Sequence, residues 1–137
     1  MSPRSRIALA WLPAVAYMAL IWVLSSMSSV PSFDDVPFRD KGIHFMEYGV
    51  LAAFLVHALQ GTWPGWARPG HYFAAALAAV VWGLSDEIHQ AFVPGRSSDA
   101  KDVLADAIGA VLGAGVYLLG CAVLRRLRAS AAQRVDH

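Results

Sequence analysis

The sequence predicts an all-α fold, an integral membrane bundle of four transmembrane helices that forms a single domain over residues 1–137. Hydrophobic residues make up 57% of the chain and only 15% are charged, and the mean hydropathy is +0.47. That composition is typical of membrane proteins. A helix needs about 20 mostly apolar residues to cross a bilayer core about 30 Å thick, and four such runs occur at residues 7–25, 43–60, 72–93 and 103–124.

The first run has an alternative interpretation as a signal peptide, because Arg4 and Arg6 precede it and a serine-rich stretch follows it. The run covers residues 7–25, which is longer than the apolar segment of about 7–15 residues in a signal peptide. We therefore interpret this run as the first transmembrane helix.

The connections between the runs differ in character. Residues 27–40 are rich in serine, proline and aspartate and predict an exposed loop. Residues 61–71 predict a short turn, with Trp63 and Trp66 at the membrane interface.

The third connection is a tight turn. Pro94 and Gly95 end the third helix, and Ser97 or Ser98 is expected to cap the fourth. The third and fourth helices are therefore expected to lie side by side and antiparallel.

Basic residues are distributed unequally between the two sides of this four-span arrangement. One side carries Arg4, Arg6, Arg68, Arg125, Arg126, Arg128 and Arg134. The other side carries Arg39, Lys41, Arg96 and Lys101. The positive-inside rule then predicts that both termini are cytoplasmic and that residues 27–40 lie outside.

Ionisable residues inside the runs are suspected functional groups, because each costs about 2.5–3.5 kcal/mol at the centre of a membrane helix. They gather at the start of the second helix, the end of the third and the start of the fourth. These clusters contain Asp40, His44, Glu47 and Tyr48; Asp86, Glu87, His89 and Gln90; and Asp99, Asp102 and Asp106. Because successive helices run in opposite directions, all three clusters are predicted to lie in one leaflet and to line one cavity.

Helical spacing places most members of each cluster on a common face. Tyr48 is predicted on the flank of the face of Asp40, His44 and Glu47, and Glu87 to one side of the face of Asp86, His89 and Gln90. On the fourth helix the line of Asp99, Asp102 and Asp106 continues into Gly109 and Gly113. These glycines and Ala105 form a small-residue stripe of the kind that lets membrane helices approach closely. We therefore expect these carboxylates to face other helices and not lipid.

Structural interpretations of the same residues stay open. Asp99 and Asp102 favour the dipole at a helix N-terminus, and His44 with Glu47 suits an interhelical hydrogen bond. Asp86 and Glu87 end a helix, where acidic groups oppose the dipole. A positive group is expected to compensate this pair, with Lys41, Arg96, Lys101 or a metal ion as candidates. His57, by contrast, is expected to be a packed histidine without a role in the site.

The ordered motifs resemble one known family. They are Asp40-Lys41-x-x-His44-Phe45-x-Glu47-Tyr48-x-x-Leu51, Ser85-Asp86-Glu87-x-His89-Gln90, Pro94-Gly95-Arg96, and Asp102-x-x-x-Asp106-x-x-Gly109-x-x-x-Gly113. Together they resemble the VanZ-like family of bacterial membrane proteins. The resemblance implies a bacterial cytoplasmic membrane location and a link to low-level teicoplanin resistance, with no known reaction. Asp106 stands where many relatives are expected to carry Asn, which makes the predicted pocket more acidic.

The first functional hypothesis is a binding protein for a cell-envelope amphiphile or lipid head group. Its partners would be membrane lipid and a lipid-linked wall precursor or the lipoglycopeptide itself, with no role for nucleic acid. The predicted ligand-binding residues are Asp40, Lys41, His44, Glu47, Tyr48, Asp86, Glu87, His89, Gln90, Arg96, Asp102 and Asp106. Lys41, Arg96 and Lys101 would face a phosphate.

The second hypothesis is a metal-dependent membrane enzyme acting on a phosphorylated or polyprenyl-linked lipid. Asp99, Asp102 and Asp106 have the spacing of the first acidic motif of UbiA-type prenyltransferases, although those enzymes are larger and carry a second motif that this sequence lacks. A divalent cation would then bind Glu87, Asp99, Asp102 and Asp106. The third hypothesis is a structural or partner-binding membrane protein.

Overall fold

The computed structural model of the chain describes residues 1–28, 39–96 and 98–135, with the side chains of residues 39, 40, 134 and 135 outside that description. The helices are α1 (Pro3–Ser25), α2 (Arg39–Thr62), α3 (Arg68–Gln90) and α4 (Ala100–Val135). The described residues outside these helices form turns and short irregular connections. The predicted all-α fold is therefore confirmed.

Three segments are long and apolar enough to cross a membrane, judged by length and composition: Pro3–Ser25, Lys41–Thr62 and Ala100–Gln133. The remaining helix, α3, has 23 residues but contains acidic and amide side chains that lower its average hydropathy. Those side chains point inward, whereas its outward face is apolar. The exposed residues on that face include Phe73, Leu77, Val81, Leu84 and Ile88. A buried polar face and an exposed apolar face support the prediction that α3 is also a transmembrane helix.

The helix ends differ from the sequence-based boundaries at several points. α3 ends at Gln90 and not at residue 93, because Val93 precedes Pro94, and a residue before proline is disfavoured in helical conformation. The amides of Phe92 and Val93 instead bond carbonyls three residues back. α4 continues to Val135, well beyond the predicted end at 124, through an exposed arginine-rich and alanine-rich stretch with high helix propensity. α1, α2 and α3 each begin four residues before the predicted start, and α4 begins three residues before it.

Glycines allow α2 and α4 to pack in backbone contact. A Cβ atom added at Gly109 would meet the Phe45 carbonyl, and one added at Gly113 would meet the backbone of Gly49. The Gly109 and Gly113 part of the predicted small-residue stripe is therefore confirmed as a helix contact. α2 also packs on α1 and α3 and is the central helix of the bundle.

The middle of the bundle is apolar. Its buried side chains include Ala14, Leu51, Leu55, Val56, Ala75, Ala79, Ala110 and Ala114. Buried charged side chains lie beyond this layer, where α1 ends, α2 begins, α3 ends and α4 begins.

Candidate functional site at one end of the bundle

We call this end of the bundle, with its cluster of polar side chains, the polar end. Its buried members are Ser25, His44, Asp86, Glu87, Gln90, Asp102 and Asp106. Each of the four helices contributes at least one of them, because antiparallel neighbours bring these helix ends to the same depth. The structure thus brings together residues that are far apart in the sequence.

His44 lies at the centre of the cluster. Its Nδ1 atom is 3.0 Å from Asp106 Oδ1 and 4.0 Å from Glu87 Oε1. The Tyr48 ring lies parallel to the imidazole, with the ring centroids 6.4 Å apart. The histidine therefore contacts carboxylates from both α3 and α4.

Gly83 on α3 makes room for the Asp106 carboxylate. A Cβ atom at this position would lie 2.7 Å from Asp106 Oδ2 and 3.1 Å from Tyr48 Cε1. Within the described part of the chain, Asp106 Oδ2 and the Tyr48 hydroxyl are buried without a hydrogen-bond partner. Asp106 thus has a partner for one oxygen and no donor among the described residues for the other.

Lys41 forms salt bridges with two acidic residues, Asp102 on α4 and Asp99 immediately before it. Its Nζ atom donates to Asp102 Oδ1 at 3.1 Å and to Asp99 Oδ2 at 3.3 Å. The expected compensation of Asp86 and Glu87 by Lys41 is therefore wrong, because this ammonium pairs with a different pair of carboxylates. Lys101, which was a further candidate, lies on the exposed surface.

The start of α4 is capped by two acidic residues from different helices. Asp99 Oδ1 accepts the Lys101 backbone N–H at 2.9 Å, and Glu87 Oε2 accepts the Asp99 backbone N–H at 3.0 Å. A capping box normally supplies both bonds from one helix, whereas here α3 supplies the second. The predicted Ser98 cap is wrong, because Asp99 immediately precedes the helix, and Ser97 lies outside the described residues.

Asp99 lies outside the membrane-spanning segments, at the boundary with water. The hydrogen bond from the Lys101 backbone N–H is the main cause that holds the pKa of Asp99 below its ordinary value. Desolvation opposes this lowering, and the Lys41 ammonium adds to it. The Asp99 carboxylate is therefore charged at neutral pH.

Asp86 lies in a second cluster, between α3 and α1. Asp86 Oδ1 accepts a hydrogen bond from Ser25 Oγ at 2.6 Å, and Asp86 Oδ2 accepts one from Gln90 Nε2 at 2.8 Å. Neutral donors therefore satisfy both oxygens of this carboxylate. Sequence reasoning missed Ser25, although its position at the end of the first apolar run placed it at the right depth.

His89 also faces α1. Its ring stacks on Trp22 with centroids 4.1 Å apart, and His89 Nε2 lies 2.9 Å from Ser26 Oγ. These contacts separate His89 from Glu87, although both belong to the same sequence motif.

Glu47 and Arg96 are the remaining predicted site residues. Glu47 is half-buried and interacts electrostatically with His44, Asp86, Asp106 and Arg96. The Arg96 Nε atom is buried and has no hydrogen-bond partner among the described residues. The Asp40 side chain lies outside the described residues.

Comparison with known proteins now bears on this arrangement. The sequence matches the VanZ/LLP1 family over residues 9–121, which is most of the chain. The protein belongs to the VanZ/LLP1 family. No curated protein and no solved structure matches the chain. The family assignment and the apolar helices together establish a VanZ-like membrane protein.

In this VanZ/LLP1 protein, three residues of the polar end have the chemistry of a metal site. His44, Glu87 and Asp102 each offer one ligand atom, and these atoms lie within 4.8 Å of one another. The sequence predicted Glu87 and Asp102 as ligands together with Asp99 and Asp106. In the structure Asp99 bonds Lys41 and the Lys101 amide, and Asp106 lies beside His44.

Proposed function

We propose that this protein binds the amine-bearing head group of a cell-envelope amphiphile at the polar end, and that this binding protects a bacterial host against teicoplanin. The observation that supports the proposal is a set of buried acceptors without a partner. Glu87 Oε1, Asp106 Oδ2 and the Tyr48 hydroxyl are buried without a hydrogen bond in the described part of the chain. Each such group costs about 1–3 kcal/mol, so a donor brought by a ligand would stabilise the site.

The balance of charge favours a cationic head group over a phosphate. The acidic side chains described at this end are Glu47, Asp86, Glu87, Asp99, Asp102 and Asp106. The phosphate-facing role expected for Lys41 is not supported, because its ammonium already forms salt bridges with Asp99 and Asp102. An ammonium group would supply both the charge and the hydrogen-bond donors that the free carboxylate oxygens lack.

Exposed apolar side chains beside the polar end suit the tails of an amphiphile. Met46 on α2 and Leu104 on α4 are each about 60% exposed, and Phe92, in the turn after α3, is 81% exposed. These residues lie at the depth of the site, so a lipid could contact them while its head group enters between the helices.

Orientation follows from the basic residues at the other end of the bundle. Arg4, Arg6, Arg68, Arg125, Arg126 and Arg128 lie at or near helix ends opposite the polar end. By the positive-inside rule that end, with both termini, is cytoplasmic. The polar end then faces the extracytoplasmic side of the bacterial membrane, where teicoplanin acts.

The test uses substitutions that remove charge and retain shape. Glu87→Gln and Asp102→Asn should each abolish protection against teicoplanin in a sensitive host, measured as the inhibitory concentration. Membrane abundance and detergent melting temperature should stay close to those of the wild type. In Glu87→Gln, for example, the side-chain amide oxygen still accepts the hydrogen bond from the Asp99 backbone N–H. The control is His57→Ala on α2, whose exposed ring lies 2.9 Å from the Tyr117 hydroxyl, away from the polar end.

Two results would count against the proposal. A parallel loss of abundance and protection would make the carboxylates structural, and full protection by both variants would remove the polar end from the mechanism. Unchanged protection in His57→Ala is required for either interpretation.

A second candidate function is a metal-dependent enzyme acting on a phosphorylated or polyprenyl-linked lipid. The grouping of His44 with Glu87 and Asp102 favours it, since these ligand types are common in hydrolytic metal sites. Purified protein should then release inorganic phosphate from a polyprenyl diphosphate in micelles only when a divalent ion is present. Release that Glu87→Gln abolishes would favour the enzyme, and no release by the wild type would favour binding.

A further inference from the structure

Three helices contribute one ligand each to a compact donor group. His44 on α2, Glu87 on α3 and Asp102 on α4 are 5%, 2% and 3% exposed. Their ligand atoms lie within 4.8 Å of one another. One imidazole and two carboxylates form a set that suits zinc or manganese better than the all-oxygen ligand sets typical of magnesium and calcium.

The state of Glu87 is an independent sign of a ligand. Its two oxygens have different environments: Oε2 accepts the Asp99 amide, whereas Oε1 is buried without a hydrogen bond in the described chain. Oε1 lies 4.0 Å from His44 Nδ1. The capping bond fixes the carboxylate through one oxygen and leaves the second, buried oxygen without a hydrogen-bond donor among the described residues.

Asp106 orients the histidine. Its Oδ1 atom is 3.0 Å from His44 Nδ1, and its position is set by close packing against Gly83. A carboxylate that bonds the ring nitrogen not used for the metal is the usual outer partner of a ligating histidine, where it fixes the plane of the ring and raises its basicity. In that role Asp106 would hold Nδ1, and the ion would bind the imidazole through Nε2.

Lys41 supplies a positive charge at the same place. Its ammonium lies 3.1 Å from Asp102 Oδ1 and 3.3 Å from Asp99 Oδ2. A metal ion on Asp102 would repel this charge, and Asp99 offers it a second position nearer to water. The lysine is thus an internal competitor for the ligand carboxylate.

We propose that His44, Glu87 and Asp102 form a binding site for a divalent ion of the zinc or manganese type, and that the ion displaces Lys41 from Asp102 towards Asp99. Ligands of a tetrahedral zinc are about 3.4 Å apart, so ligand atoms that lie within 4.8 Å of one another would move closer together on binding the ion. The ion ties α2, α3 and α4 together at one point. This inference goes beyond the proposed function: the ion would take Glu87 Oε1, and Asp106 Oδ2 and the Tyr48 hydroxyl would remain as acceptors for the head group.

The experiment uses the full-length protein in detergent, stripped with a chelator and titrated with Zn²⁺ or Mn²⁺, with Mg²⁺ for comparison. Bound metal is counted by elemental analysis, and the melting temperature is followed by tryptophan fluorescence. The wild type should retain about one zinc per chain and melt higher with zinc, with the increase reversed by the chelator. Mg²⁺ should give little increase.

Variants distinguish binding at this specific site from nonspecific metal binding. Glu87→Gln and Asp102→Asn should lose the metal-dependent increase, and Asp106→Asn should weaken affinity by about 10–100-fold, as expected for an outer partner. Lys41→Gln should bind zinc more tightly than the wild type, a gain that a misfolded protein would not give. His57→Ala, outside the cluster, should bind as the wild type does.

Several results would overturn the proposal. These are no retained zinc in the wild type, equal binding by Glu87→Gln, or weaker binding by Lys41→Gln. The outcome is separable from that of the proposed function. If zinc does not bind while Glu87→Gln still loses teicoplanin protection, the metal site is wrong and the function stands. If zinc binds and Glu87→Gln protects fully, the function is wrong and the metal site stands.

Discussion

The two ends of this bundle satisfy their polar groups in different ways. At the end opposite the polar end the interactions are neutral: Trp11 Nε1 donates to Thr62 Oγ1 at 2.8 Å, and His57 Nδ1 lies 2.9 Å from the Tyr117 hydroxyl. At the polar end most of the interactions involve a carboxylate, and most of these carboxylates are buried. Every acidic side chain that the structure describes belongs to this end.

The difference between the two ends shows that joining the helices stably does not require buried charges. Neutral pairs near a membrane surface join helices at little cost, whereas buried charges carry a desolvation penalty that ion pairing does not reliably offset. The opposite end demonstrates that these same helices can be joined without buried carboxylates. The concentration of charge at one end therefore points to a function for it.

Helix packing follows the same division, and the largest expected effect tests it. Gly109, near the polar end, contacts the backbone of α2, whereas a Cβ atom added at Gly120, near the opposite end, would meet nothing within 4 Å. Gly109→Leu should force the helices apart and lower the free energy of unfolding by about 3 kcal/mol or more. Gly120→Leu, the matched control, should leave the detergent melting temperature within about 2 °C of the wild type. Equal losses in both variants would show that the two halves of α4 are packed alike.

A smaller effect should separate the two side-chain hydrogen bonds that α1 makes with other helices. Ser25→Ala leaves Asp86 Oδ1 buried without its donor and should cost about 1–3 kcal/mol. Trp11→Phe removes the donor to Thr62, whose hydroxyl keeps its bond to the Ala58 carbonyl, and should cost about 0.6 kcal/mol. Unfolding in a detergent series measures both. A larger loss in Trp11→Phe would reverse the ranking of the two ends.

The smallest effect concerns pH and the two helix caps. The pKa of Asp99 is lowered in the folded protein, so its contribution to stability is present above the unfolded value of about 3.9 and is lost as the pH falls through the folded value. The melting temperature of the wild type should exceed that of Asp99→Asn slightly at pH 7, and the difference should shrink as the pH falls below the unfolded value of about 3.9. Ser2, whose Oγ accepts the Ser5 amide at the start of α1, does not titrate in this range. The effect of Ser2→Ala should therefore be independent of pH, and a constant Asp99→Asn difference would contradict the assignment.

Much of the fold follows from patterns that one sequence contains. Apolar runs gave the helices, and Pro94-Gly95 marked a boundary to within a few residues, because bilayer thickness and proline geometry act locally. The common depth of the three polar clusters follows from chain direction alone.

The pairing of individual side chains is not available from such patterns. Asp86 and Glu87 are adjacent in sequence, yet one faces α1 and the other faces α2 and α4, and this depends on how the helices rotate about their axes. The partner of Lys41 is decided in the same way. Ser25 was missed because a hydroxyl gives no signal of burial until the neighbouring helix is in place.

The capping of α4 by Glu87 has a consequence for the order of assembly. The bond between Glu87 and the Asp99 amide spans 12 residues, whereas the contact of His44 with Asp106 spans 62. Contacts that are close in sequence close the smaller loop and form earlier. We expect α3 and α4 to emerge as a hairpin whose turn is already fixed, and α2 to dock on it afterwards. Until α2 docks, Glu87 and Asp102 lie in place without His44. The proposed metal site is therefore complete only when the last of these three helices has packed.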